Sequence, residues 1–468
     1  MDEFGDRQLL AKGLVNEGQL QEAEERRKLY GGGVVGNLFA LGYLPQYELD
    51  AILRRHLAAP RNLEDCGLDL SFLADLALKH ALFMGDFGLA ELAGKLHLPT
   101  AAVEPAVEML RREKMLEVKG AAELLKSTFR FAVTDAGRVR AGDLMGICRY
   151  CGPAPVTLES YKRITELQSL AAFDLRETEV RQAFAHMTLG ERLLGRLGPA
   201  IGSRQTMLLY GPPGNGKTTI AEAIGKALPG TIHIPYSILV AGQIVNLYDA
   251  INHVSIQEER KFGGFDQRWV EIHRPAIITG GELTLDMLNL QFDPISKYYE
   301  APLHMKANNG VFIVDDFGHQ QINPQNLIDR WIVNLDRHVD FMALNTGMKF
   351  DIPFNQMVVF STNIEPEKIL DEAFLRRLRY KIKIDRPTAE EYEAIFEQVC
   401  RKNGIAFDKE VFDYLMENYY ARFGISPAAC QPRDIIDHIA DEARYNRREA
   451  RMTREAVDHA WQNYFLGQ

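Results

Sequence analysis

The sequence predicts an α/β fold over its second half, a parallel β-sheet flanked by helices, with an all-helical segment at the C-terminal end. Three observations carry this expectation. Met207, Leu208 and Leu209 lead into a turn with three glycines, Gly211, Gly214 and Gly216, and the helical pattern TTIAEAIGKAL follows. Two further apolar runs, VFIVDD (Val311 to Asp316) and VVFSTN (Val358 to Asn363), end in polar side chains, as buried strands opening into a site do. From Thr188 onward strand and helix patterns alternate, and after Pro387 the chain reads as helical to its end.

The glycine turn carries the most specific chemistry. Residues 211–218 read Gly-Pro-Pro-Gly-Asn-Gly-Lys-Thr, the pattern GxxxxGK followed by Ser or Thr. Glycines let the backbone curl until successive N–H groups point inward at phosphate oxygens, and the helix that follows adds its positive dipole end. Lys217 is then expected to reach the β- and γ-phosphates, and the Thr218 hydroxyl to hold Mg²⁺. Gly211, Pro212, Pro213, Gly214, Asn215, Gly216, Lys217, Thr218 and Thr219 are the expected nucleotide-binding residues, with ATP and Mg²⁺ as ligands. In VFIVDD, Asp315 would meet the metal through its water shell and Asp316 would polarise the attacking water. Asn363 would orient that water.

Bulk composition narrows the class. At 468 residues the length allows roughly three domains. Apolar residues at 46% and charged residues at 25% fit a globular protein. A net charge of −10 supplies no global field for nucleic acid. Five cysteines, Cys66, Cys148, Cys151, Cys400 and Cys430, are too scattered for a disulfide framework. Cys148 and Cys151 form a lone CxxC without a second Cys/His pair, so they read as free thiols. The N-terminal MDEFGDRQLL lacks an apolar signal core, and no run reaches the 18 or more apolar residues of a membrane span. The expectation is a soluble cytoplasmic protein.

Residues 1–60 contain a weak internal repeat. Leu9 to Val15 is followed by Leu20, and Leu38 to Leu44 by Leu49, each unit a short helix, a Gly stop and a second amphipathic helix. Gly31 to Gly33 mark the joint. The pattern resembles the N-terminal module of the assembly ATPases of type II secretion and type IV pili. Members that bind cyclic di-GMP open on Arg-Leu-Gly and close on Gln; Val35-Gly36 and His56 stand there instead, so the module reads as a protein-docking unit.

Residues 61–145 give three helical patterns, then FRFAVTDAGRVRA as a strand pair and a closing helix, and look like a winged helix. Its third helix would present Ala101, Ala102, Glu104, Pro105 and Glu108 outward. Carboxylates repel phosphates and alanine cannot read a base edge, so this domain reads as an interaction module and not a nucleic-acid reader. Residues 146–187, with GPAP at Gly152 to Pro155, read as a linker to a core at 188–386 and a helical lid at 387–468.

Over about residues 188–468 the motif order resembles that of AAA+ ATPases: phosphate loop, VFIVDD, FSTN, the arginines of FLRRLRYKIKI, then QPRD. The resemblance implies a P-loop parallel-sheet core with a C-terminal all-α lid. It puts Lys217 and Thr218 at the Walker A positions and Asp315 at the Walker B metal carboxylate. Asp316 takes the place of the usual catalytic Glu, Asn363 resembles sensor 1, and Arg433 resembles sensor 2. Arg377, with Arg376 as second candidate, is the expected arginine finger acting on the neighbouring subunit, which implies a ring, usually a hexamer.

APLHMKANNGVFIVDD resembles the approach to Walker B in Mg-chelatase, MoxR-type and σ54-activator ATPases. Those groups carry a helix-2 insertion and a pre-sensor hairpin. MALNTGMKFDIPF (Met342 to Phe354) is the expected hairpin. Residues 283–300 are the expected insertion, with Tyr298 and Tyr299 facing a pore or simply packing.

Asp316 is one methylene shorter than Glu, leaving a water placed for Glu roughly 1.5 Å out of reach, and misplacements near 1 Å cost about a hundredfold. Slow turnover is expected. These features together suggest an ATP-driven ring that remodels a protein client docked through residues 1–145, in a chaperone-like role or in a pilus, secretion or other envelope assembly. The alternatives are a DNA-binding regulator with an ATPase domain and a nucleotide-switched scaffold.

Overall fold

Five short apolar runs become one parallel sheet: β1 (Met207–Tyr210), β2 (Ala276–Thr279), β3 (Val311–Val314), β4 (Met357–Thr362) and β5 (Tyr380–Lys383). The computed structural model describes residues 9–121, 129–172, 175–256 and 264–465; the ends of the first and last predicted segments, 1–8 and 466–468, lie outside the described residues. Strand order is β2-β3-β4-β1-β5, and every neighbouring pair is parallel. Parallel neighbours need crossovers that cover both faces, which is why these runs are apolar on both sides. Met207, Leu209, Ile313 and Val359 pack on one face with Ile220 and Ile224 of helix Lys217–Ala227. Leu208, Phe312, Val358 and Phe360 pack on the other against Trp331 of helix Pro324–Arg337.

The expected hairpin is present just before β4. Val339–Ala343 pairs antiparallel with Lys349–Pro353, in register from Val339↔Pro353 to Ala343↔Lys349. After Pro387 the regular structure of the described residues is helical, with helices Ala389–Lys402, Lys409–Leu415, Gln431–Tyr445 and Arg454–Tyr464 around Tyr392, Phe396, Ile435 and Trp461. Among the described residues no helix is long and apolar enough to cross a membrane.

A second β-region separates helix Lys217–Ala227 from β2 and was not foreseen. Its five-stranded sheet runs Gln291–Phe292, Tyr299–Glu300, Gln243–Asn246, Ser237–Val240, Val156–Thr157. This corrects one expectation. Residues 146–187 are no linker: Val156–Thr157 is an edge strand, and helix Leu158–Leu167 buries Tyr161 and Ile164. The apolar stripe of that helix was hidden among Lys, Arg and Glu. Of the two roles expected for the tyrosines, packing is the one seen within the chain: Tyr299 is buried and its hydroxyl accepts the Asn345 N–H at 2.9 Å. Tyr298 meets Tyr150 edge to face. Both pack.

N-terminally, helices Leu70–Leu82, Leu89–Leu96 and Thr100–Arg112 sit with a three-stranded antiparallel sheet of Phe87–Gly88, Phe129–Val133 and Leu116–Ala121. Ala102, expected to face outward, is fully buried with Val103, Ala106 and Leu110 because it lies on the core stripe of its helix. Helices Glu17–Tyr30, Val34–Ala40 and Gln46–His56 form the first module, and its glycine joint rests directly on the rest of the chain. A Cβ on Gly31 would lie 2.8 Å from the His338 ring, and one on Gly32 would lie 2.7 Å from Ser169 Oγ. Only glycine permits that approach. Arg26 adds a hydrogen bond to the Ala171 carbonyl at 3.0 Å.

Residues 61–145 are joined to the second β-region through the Cys66 carbonyl, which meets Arg268, itself buried in an ion pair with Asp266. Arg268 donates from Nη2 to Asp266 Oδ2 at 2.8 Å and from Nη1 to the carbonyls of Cys66 and Pro155. Removing one partner of a buried pair strands the other charge. Arg268→Ala is therefore expected to cost about 3–5 kcal/mol and to lower the thermal midpoint, whereas the double replacement Asp266→Leu with Arg268→Met recovers most of the loss.

Candidate nucleotide-binding site

The C-terminal ends of β1, β3 and β4 share one edge of the sheet, and the expected residues meet there. After β1 the loop turns at Gly211 and crosses Gly214 and Gly216, both at positive φ (75° and 79°), into helix Lys217–Ala227. The first N–H groups of that helix have no partner within it and face the cleft, as an anion site requires. Gly214 to Thr219 line the cleft, while Gly211, Pro212 and Pro213 form the turn beneath it. Lys217 is buried, and its ammonium donates to the carbonyls of Gly211 at 3.0 Å and Pro212 at 2.9 Å. Burial pushes that ammonium below the ordinary lysine range, opposed by Asp315 and Asp316.

Thr218 and Asp315 meet across the cleft. Thr218 Oγ1 donates to Asp315 Oδ2 at 2.7 Å. One hydroxyl and one carboxylate suit Mg²⁺, which takes few protein oxygens and completes its shell with phosphate and water. Among the described residues there is no group of three or more His, Cys, Asp or Glu that could hold a metal ion. Asp316 follows at φ +48°, a left-handed backbone that Asp tolerates better than most residues. Asn363 Nδ2 donates to Asp316 Oδ1 at 3.3 Å, tying the end of β4 to the acidic turn.

Several contributors carry no motif. Gln320 braces the acidic turn, accepting from the Gly318 N–H at 2.8 Å and donating to the Asp315 carbonyl at 2.7 Å. The cleft opens into a cavity of about 750 Å³, within the range of small-molecule sites. Its far wall is the segment His186–Leu193, the stretch after β5 and helix Ala389–Lys402. Gln398 clasps two of these, accepting from Thr188 Oγ1 at 3.0 Å and donating to the His186 carbonyl at 3.0 Å. Only the fold shows that these segments converge.

The arginines divide. Arg433 lines the cavity from the first turn of helix Gln431–Tyr445, its Nε 3.7 Å from Asp434 Oδ1. Arg376 and Arg377 end helix Glu372–Arg377 outside the cavity, Arg376 on Glu372 and Arg377 with Nε 3.3 Å from Asp336 Oδ2. The chain's own cleft receives neither.

Three family models match parts of the sequence. Residues 207–266 match the ATPase family associated with various cellular activities (AAA), 162–236 match the parvovirus non-structural protein NS1, and 388–463 match a domain of unknown function, DUF8689. No curated protein matches the chain. Among solved structures, the Thermotoga maritima RuvB Holliday junction branch migration motor is similar at 13% identity and a TM-score of 0.33, covering 63% of this chain and 72% of that one. A single-substitution variant of the same protein gives 15% identity and a TM-score of 0.34 over the same shares. The glycine loop, its helix and the strand before them fall inside the first match, so the part of the chain that resembles the AAA ATPase family is the part that builds the phosphate loop.

Proposed function

We propose that the chain binds ATP with Mg²⁺ and hydrolyses it as a ring-forming AAA+ ATPase that remodels a protein client. The observation that carries the reading is the meeting of Thr218, Asp315, Asp316 and Asn363 from three strand ends beside a phosphate loop. Lys217 gives up two carbonyl partners for phosphate oxygens, and the bound charge compensates its buried ammonium. Mg²⁺ held through Thr218 and Asp315 would neutralise charge on the β- and γ-phosphates. Asp316 accepts a proton from the attacking water, and Asn363 fixes the direction of its carboxylate. Arg433 approaches the γ-phosphate from the lid, and Arg377 serves the neighbouring subunit, which fits its place outside its own cleft.

Residues 1–145 are the proposed client-docking region, comprising the secretion-ATPase-like module and the winged-helix-like domain. The hairpin before β4 fits the MoxR-type subgroup. A route from docking region to motor exists at Gly31, whose neighbour His338 caps helix Pro324–Arg337 and precedes the hairpin. The absence of any strong positive balance argues for a protein client over nucleic acid.

Three measurements test the reading. Lys217→Ala is expected to weaken binding of a fluorescent ATP analogue by about 10- to 100-fold, the scale of a lost charge-assisted contact. Arg377→Ala should keep ATP binding and ring formation in sedimentation but lower turnover by about 10³–10⁵-fold; if only Arg376→Ala does this, the finger is Arg376. Asp316→Glu is expected to raise turnover if the short carboxylate limits the rate, and an unchanged rate places the limit elsewhere.

A further inference from the structure

The phosphate loop and the C-terminal helical region touch through a residue to which the motif gives no task. Asn215 sits between the two glycines that shape the loop, and its side chain is buried. Asn215 Oδ1 accepts the Ala429 N–H at 3.2 Å, and Nδ2 donates to the Pro212 carbonyl at 3.3 Å. Next to it the Gly214 carbonyl accepts the Cys430 N–H at 2.8 Å. A Cβ on Gly214 would stand 2.7 Å from Cys430 Sγ, so loop and lid lie in direct contact.

Ala429 and Cys430 stand at the threshold of helix Gln431–Tyr445, and Cys430 is its N-cap. The Cys430 carbonyl accepts the Arg433 N–H at 3.1 Å, one turn on. Gln431 stiffens the approach, its Oε1 accepting from the Ala428 N–H at 2.7 Å and from the Tyr420 hydroxyl at 3.1 Å. A short, hydrogen-bonded path thus runs from Asn215 through Ala429 and Cys430 to Arg433. On the reading of Arg433 as the lid arginine of the nucleotide site, we infer that Asn215 is a positioning residue. It couples the phosphate loop to the lid and sets where Arg433 enters the cleft.

The chemistry explains why a carboxamide stands there. One end accepts from the lid while the other donates to the loop, so the two elements share one rigid planar group. Asn215→Asp keeps the acceptor for Ala429 and loses the donor to Pro212, whereas Asn215→Ala loses both. The pair separates the lid tether from a role confined to the shape of the loop.

Hydrogen exchange of the full-length, nucleotide-free protein, read on peptides covering residues 426–436, tests the tether first. Asn215→Ala is expected to speed exchange there by about 2- to 10-fold, the effect of one lost hydrogen bond, and Asn215→Asp to restore slow exchange. Turnover at saturating ATP tests the action through Arg433. Asn215→Ala should lower kcat by about tenfold with a smaller change in KM, and should cause no further fall in an Arg433→Ala background. Unchanged exchange in Asn215→Ala, or an equal loss of kcat in both backgrounds, overturns the inference. A wild-type chain that binds no ATP overturns the proposed function instead, and the exchange result still decides whether Asn215 tethers the lid.

Discussion

The site depends on one constraint, that all five core strands run the same way with β1 between β4 and β5. Parallel strands release their chains at a single edge, so whatever follows β1, β3 and β4 must emerge together. That geometry lets Thr218 and Asp315, 97 positions apart, share a 2.7 Å hydrogen bond. It also places the open N–H end of helix Lys217–Ala227 under the same cleft. In another strand order the same residues would be distant polar groups on separate loops.

Much of this centre was legible because its signals are local. A glycine turn between an apolar run and a helical pattern can be read in a dozen residues, and strands ending in Asp-Asp or Thr-Asn announce themselves at their ends. The hairpin before β4 was legible for the same reason, through alternation around Asn-Thr-Gly. What escaped was non-local. Gln320, Gln398 and the segment His186–Leu193 matter only through what they face across the fold, and no spacing along the chain encodes that. Asn215 was read as one member of a motif, and its contact with residues more than 200 positions away is invisible without coordinates.

The N-terminal half shows a second kind of misreading. Residues 146–187 look like a tether because their apolar residues are few and widely spaced. Tyr161 and Ile164 nevertheless lie on one helical face, and Asn308 donates to the Tyr161 hydroxyl at 2.9 Å, so the segment becomes part of a core. The N-terminal modules are therefore not beads on a string. Arg268 clamps one to the second β-region, and the glycine joint seats the other beside His338.

The cavity walls come from three stretches that would otherwise part company: the segment before helix Glu191–Ser203, the sheet edge, and the C-terminal helices. A ligand that bridges them binds the assembled chain and not its separated pieces. By mass action it then adds about 2.7 kcal/mol of apparent stability at a hundred times its dissociation constant. The joint between the sheet and the C-terminal helices is thereby tied to whatever fills the cleft, because an occupant that touches all three stretches holds them together.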